Sequence, residues 1–81
     1  MNSKAVTVND FRRMKRDGIP IAALTAYDAA FARLADEAGI DLILVGDSLA
    51  NVVQGRETTI PVTIGDMLYH GEIVARVAKR A

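Results

Sequence analysis

Residues 41–48 read DLILVGDS, and the fold turns on that stretch. Leu42, Ile43, Leu44 and Val45 make an unbroken apolar run of strand length, followed by Gly46. A strand with one wet face alternates apolar and polar residues. A continuous run instead marks a strand covered on both faces, as in a parallel sheet. Upstream, residues 21–25 (IAALT) form a second short apolar run. Between the two runs, Asp28 is placed as a helix N-cap. Phe31, Leu34, Ala35 and Ala38 then recur at i, i+3, i+4 and i+7, which predicts a one-sided helix over residues 29–38, stopped by Gly39. Strand, helix, strand implies two parallel strands joined by a right-handed crossover.

Toward the N-terminus, Thr7 and Asp10 are spaced as a cap and its third-residue acid, so a helix is expected over residues 8–17. Gly18 ends it, and Pro20 resets the chain to extended geometry. Lys4, Arg12, Arg13, Lys15 and Arg16 cluster here, with Phe11 and Met14 among them at helical spacing. That pattern reads as a solvated helix face, with contact to RNA or phosphate as the alternative. Beyond Gly46 the periodicity breaks. Residues 47–61 read as irregular, with one helical turn around residues 49–53. Thr63 and Asp66 repeat the capping pattern and open a long helix over residues 64–79. Its apolar set is Ile64, Met67, Leu68, Gly71, Val74, Ala75 and Ala78, and Glu72 with Arg76 forms an i, i+4 pair on the wet side. Ile73 and Val77 lie on neither stripe, which suggests a second apolar face against a neighbour outside this chain.

The 81 residues are 51% hydrophobic and 5% aromatic, with ten basic against ten acidic side chains, one His and no Cys. That composition suits a folded chain rather than a disordered one. Without cysteine there is no disulfide framework and no Cys-ligated metal site, and a single His builds no multi-histidine site. A net charge of zero argues against nucleic acid. No apolar run approaches the ~20 residues of a membrane span, and residues 1–10 lack a signal-peptide core. The chain therefore reads as cytoplasmic. Two parallel strands are both edges, and DLILV keeps an uncovered face, so they do not make a self-sufficient sheet. The sequence also ends in what reads as a basic helical tail without a cap. The expectation is one partial α/β domain over residues 1–81, molten or aggregating alone. Its parts are a leading helix and linker (1–19) and two βα units (20–40 and 41–81).

In parallel α/β folds, ligands gather at the carboxyl ends of the strands. Thr25-Ala26-Tyr27-Asp28 and Gly46-Asp47-Ser48 fall there. Asp47 follows residues with no polar side chain, so its carboxylate stands at the mouth of a buried strand. A hard oxygen ligand in that position suits Mg²⁺, which takes one or two carboxylates plus water and substrate oxygens. The alternative is an Asp that caps the turn. Ser48 offers a hydroxyl and a backbone N–H to an anionic oxygen, and Gly46 permits close approach. Asp28 is expected as a cap rather than a catalyst. Tyr27 either lines the site or packs. Thr58 and Thr59 supply hydroxyls or brace the next helix, the latter favoured. His70 is expected in a surface pair with Asp66. Neither a GxGxxG nor a P-loop motif is present.

LTAYDAAFARLADEAGIDLILVGDSLANVVQG (24–55) followed by TTIPVTIGDMLYH (58–70) resembles the N-terminal part of the ketopantoate (3-methyl-2-oxobutanoate) hydroxymethyltransferase family. The motifs TAYD, VGDS, QG and PVT carry the likeness, which covers nearly the whole chain after Val8. Ala50 stands where that family often has Gly. The resemblance implies the N-terminal part of a (βα)8 TIM barrel, a fold of ~250 residues, and homo-oligomers of the full-length enzyme. It implies transfer of a hydroxymethyl group from 5,10-methylenetetrahydrofolate to 3-methyl-2-oxobutanoate, on the route to pantothenate and coenzyme A. In that chemistry the keto acid chelates Mg²⁺, a glutamate removes the acidified proton, and the enolate attacks the folate-borne carbon. By motif matching, Asp47 binds Mg²⁺ and the keto acid, and Ser48 binds the keto acid. The other metal ligands, the substrate lysine and the base have no counterpart in this chain, so it is expected to be inactive alone. Two other readings stand beside this one: a non-catalytic barrel-derived binding or assembly module, and a related Mg²⁺-dependent 2-oxo acid carbon–carbon lyase.

Overall fold

The fold was described from a computed structural model covering residues 4–81. The elements run α1 (Val8–Asp17), β1 (Ala23–Thr25), α2 (Ala29–Glu37), β2 (Leu42–Leu44), α3 (Leu49–Val52) and α4 (Ile64–Val77). The three longer helices all begin on side-chain caps at the expected residues. Thr7 and Asp10 close a capping box on α1, and Thr63 and Asp66 close one on α4. The Asp28 carboxylate accepts the Phe31 amide at 2.8 Å to start α2. Such caps are each worth about 1 kcal/mol. The helices end where the backbone turns left-handed, at Gly18 (φ 72°) after α1 and Gly39 (φ 90°) just past α2.

β1 and β2 pair in parallel, with Ala23 opposite Leu42 and Thr25 opposite Leu44. An α/β fold with a two-stranded parallel sheet is thus present, the strands being shorter than the apolar runs around them. α2 packs on α4 across one face of the sheet. Ala26, Ala32 and Val74 form the core there, with Ile43, Val45 and Val77 packed against them.

The buried faces differ from those expected. Of the expected stripe on α2, Ala35 is buried, but Phe31 and Leu34 are 64% and 62% exposed, and Ala32, outside that stripe, is buried. Ala32 of α2 meets Val74 and Val77 of α4 in the core. On α4, Val74 is buried and Val77 joins the core, while Ile64 and Leu68 are 75% and 60% exposed. Val77 therefore belongs to the core stripe rather than a separate face. The Glu72–Arg76 pair is not among the ion pairs of the described residues.

The end of the chain is also corrected. α4 stops at Val77, and Ala78 is extended (ψ 115°), so residues 78–81 are not a helical tail. Asp36 captures them: its carboxylate accepts the amides of Lys79, Arg80 and Ala81 at 2.8–3.0 Å. The Arg80 guanidinium donates to the carbonyls of Gly39 and Ile40 and to Asp41 at 2.8 Å. Asp41 in turn accepts the Ala22 amide at 2.9 Å, just ahead of β1. Burial alone would raise the Asp36 carboxyl, but these amides and the Arg80 charge outweigh it and hold it below the ordinary carboxylate range. The Ala22 amide and then Arg80 lower Asp41 likewise.

Two outcomes are expected. Among the described residues, no large side chain apart from Leu49 is completely buried, and Phe31, Leu34, Leu44, Ile60, Ile64 and Leu68 are 53–87% exposed. Expressed alone, residues 1–81 should bind a hydrophobic dye and show no cooperative thermal transition; a sharp transition in a monodisperse sample would refute this. Lowered carboxylates stabilise a fold above their unfolded pKa of about 3.9, and lose that contribution as the pH falls toward their folded values. In the full-length polypeptide, Asp41→Asn should cost about 1–2 kcal/mol at neutral pH. It should also flatten the fall in Tm below about pH 4; a parallel acid profile would remove Asp41 from this role.

Candidate functional site

Parallel pairing brings the carboxyl ends of β1 and β2 to the same level, because Thr25 and Leu44 are register partners and the Ala26 amide bonds the Leu44 carbonyl. The two segments that leave these ends are 26–28 and 45–48. They form the mouth where sequence reasoning put the chemistry.

The second segment is pinned from below. Leu49 and Ala50 are both 0% exposed. Their amides bond back to the carbonyls of Gly46 and Asp47, at 3.3 and 3.0 Å. This anchoring lets the two residues before them face outward at a defined place. The Asp47 side chain is exposed, and among the described residues no hydrogen bond or ion pair engages its carboxylate. It does not cap α3; Ser48 holds that N-cap position, without a side-chain cap bond. Ser48 is half-buried, and its Oγ is hydrogen-bonded to the Tyr27 hydroxyl.

Tyr27 is packed, and it also borders a neighbouring cleft. It is 7% exposed, and its ring lines a cleft of about 460 Å³. Thr25, Ala26, Asp28, Phe31, Val52 and Val53 complete that lining. Asp47 and Ser48 lie outside it, so the phenol links cleft and mouth. Asp28 is committed to capping α2, as expected. Thr59 sits in a turn, accepting the Val62 amide through its carbonyl at 3.1 Å, which fits the bracing reading. A larger cleft of about 560 Å³ lies at the opposite end of the strands, beside Asp41 and Arg80. Both of its acids pair with bases, Asp10 with Arg13 and Asp41 with Arg80, and Lys4 also lines it.

His70 departs from expectation. Asp66 is occupied by the Thr63 amide, which, ahead of a hydrogen bond from Gln54, lowers its carboxyl. The expected His70–Asp66 surface pair is therefore not made. Instead, His70 Nδ1 lies 2.7 Å from the Tyr27 carbonyl, across 43 residues of sequence. A carbonyl only accepts, so Nδ1 carries the proton. Neither this contact nor the Tyr27–Ser48 bond follows any local spacing rule. The usable signal was weaker: His70 is the one imidazole of the chain, on the helix whose neighbour begins right after Tyr27.

Among the described residues, no group of three or more His, Cys, Asp or Glu side chains stands close enough to hold a metal ion. What this chain offers a cation at the mouth is a single uncommitted carboxylate, Asp47. One such ligand fits Mg²⁺, whose shell is usually completed by water and substrate oxygens. It does not make a closed protein cage.

Comparison with known proteins places the chain. It is 60% identical to the 3-methyl-2-oxobutanoate hydroxymethyltransferase of Halorhodospira halophila, over 95% of this chain and 28% of that protein. The Magnetococcus marinus protein of the same name is 60% identical, over 96% of this chain and 29% of its own length. The one from Idiomarina loihiensis is 52% identical over the whole chain and 30% of its own length. The chain thus spans under a third of the length of these curated relatives. The family model described as ketopantoate hydroxymethyltransferase matches residues 5–81, and the chain belongs to that family.

Proposed function

We propose that the polypeptide carrying this chain transfers a hydroxymethyl group from 5,10-methylenetetrahydrofolate to 3-methyl-2-oxobutanoate, giving ketopantoate. In this reading the chain contributes the first two βα units of a (βα)8 barrel. The barrel supplies the acceptor site from its strand ends, and this chain supplies the part at β1 and β2. The observation that carries the proposal is the adjacency of Asp47 and Ser48, past the end of β2, in a chain of this family.

Each residue has a distinct task. The Asp47 carboxylate is the metal ligand, since it is exposed at the mouth and otherwise uncommitted. Bound there, Mg²⁺ supplies Lewis acidity at the carbonyl of a 2-oxo acid. Ser48 Oγ donates to the acid's carboxylate, which accepts but does not donate. Its hydroxyl is available because it makes no cap bond to α3. Together the two residues fix the acid from one side, so that its reacting carbon is held at a set distance from the second substrate. The base that takes the proton comes from outside this chain, because Asp28 is spent on its helix and Asp47 on the metal. The same reading takes the enzyme to be a cytoplasmic homo-oligomer. No helix of the described residues is long and apolar enough to cross a membrane.

The test uses the full-length polypeptide. Asp47→Asn should weaken Mg²⁺ binding and cut ketopantoate formation by about a hundredfold or more. Chelation of the parent enzyme should stop turnover, and added Mg²⁺ should restore it. Unchanged metal affinity and unchanged turnover in Asp47→Asn would refute the assignment.

A further inference from the structure

We propose that His70 and Tyr27 are positioning residues that act in series on Ser48, holding its hydroxyl on the acceptor's carboxylate and so setting affinity for the 2-oxo acid. This rests on the reading of Ser48 as the residue that binds that acid.

The chain of contacts runs through three elements. His70, on α4, donates from Nδ1 to the Tyr27 carbonyl at 2.7 Å. Tyr27 lies on the short link between β1 and α2, flanked by Ala26, whose amide bonds the Leu44 carbonyl, and by Asp28, the cap of α2. Its side chain is 7% exposed, so the phenol has little freedom once the backbone is fixed. The phenol meets Ser48 Oγ. Chemistry then sets the direction of the donors. A carboxylate only accepts, so Ser48 must spend its single proton on the ligand. Tyr27 must therefore donate to Ser48 Oγ, and the phenolic bond polarises the serine hydroxyl toward the acid. Without the phenol, the serine hydroxyl turns freely. Without the imidazole, the Tyr27 carbonyl loses its side-chain partner, and the phenol is set less firmly.

The contact of His70 toward the mouth runs through Tyr27. Its ring is half-buried against Tyr27, and its proton at Nδ1 is engaged. A role confined to holding the fold would show in stability alone. A positioning role shows in affinity, through Ser48.

The experiment measures binding of 3-methyl-2-oxobutanoate by calorimetry, with Mg²⁺ and without folate, in the full-length polypeptide. Tyr27→Phe should weaken binding about three- to tenfold, the range expected for one hydrogen bond. Ser48→Ala should weaken it at least as much, and the double variant no further than Ser48→Ala. His70→Leu should mimic Tyr27→Phe, while His70→Asn, which keeps a donor near the Nδ1 position, should recover most of the loss. Tm for each variant separates folding from affinity. If Ser48→Ala leaves affinity unchanged, the role given to Ser48 fails, and this inference with it. If Ser48→Ala weakens binding but Tyr27→Phe does not, or weakens it equally in the Ser48→Ala background, only this inference is overturned. Independently of any variant, ¹⁵N spectra of the neutral His70 ring in the parent enzyme should show the Nδ1–H tautomer. The opposite tautomer would also overturn the inference.

Discussion

The carboxylate of Asp41 decides how the two strands meet. It accepts the Ala22 amide, while the Ala22 carbonyl takes the amides of Asp41 and Leu42. This small exchange lies just before the first paired residues, Ala23 and Leu42. A slip of one residue would turn every side chain of a strand to the opposite face. It would carry Ile43 and Val45 away from Ala32 and Val74, and part Tyr27 from Ser48. Arg80 reinforces the exchange from the far end of the chain, so that core and mouth share one register.

Much of this was legible along the sequence wherever the determinant is local. Thr7 with Asp10, Asp28 alone, and Thr63 with Asp66 marked the helix starts, because a cap is made within three residues. The glycines marked two ends for the same reason. Which face of a helix is buried was less legible. Hydrophobicity favoured Phe31, Leu34, Ala35 and Ala38, of which Ala35 alone is buried, and the core contact to Val74 comes from Ala32. Periodicity measures how apolar a stripe is and says nothing of how near the neighbouring helix stands. The capture of residues 79–81 by Asp36 is likewise a contact across more than forty residues, and no spacing foretells it.

The mouth divides along the same line. Asp47 and Ser48 could be singled out because a polar pair directly after an apolar run sits at a strand's carboxyl end. Tyr27 could be placed beside them, but its bond to Ser48 depends on strand register. His70 was read as a surface residue because helices on the outside of such folds usually turn away from the mouth. It reaches inward because α4 lies against α2, and α2 starts immediately beyond Tyr27.

The close contact of α2 with α4 also bears on motion. Ala32 of α2 is buried against Val74 of α4 in one core with Ile43 and Val45, so displacing either helix exposes that core. The stretch between α3 and α4 is different: residues 55–61 are almost all exposed, and Ile60 is 87% exposed. It surrenders little buried surface when displaced. Breathing is thus concentrated in this exposed segment, while Tyr27 and Ser48 stay joined through their hydroxyls.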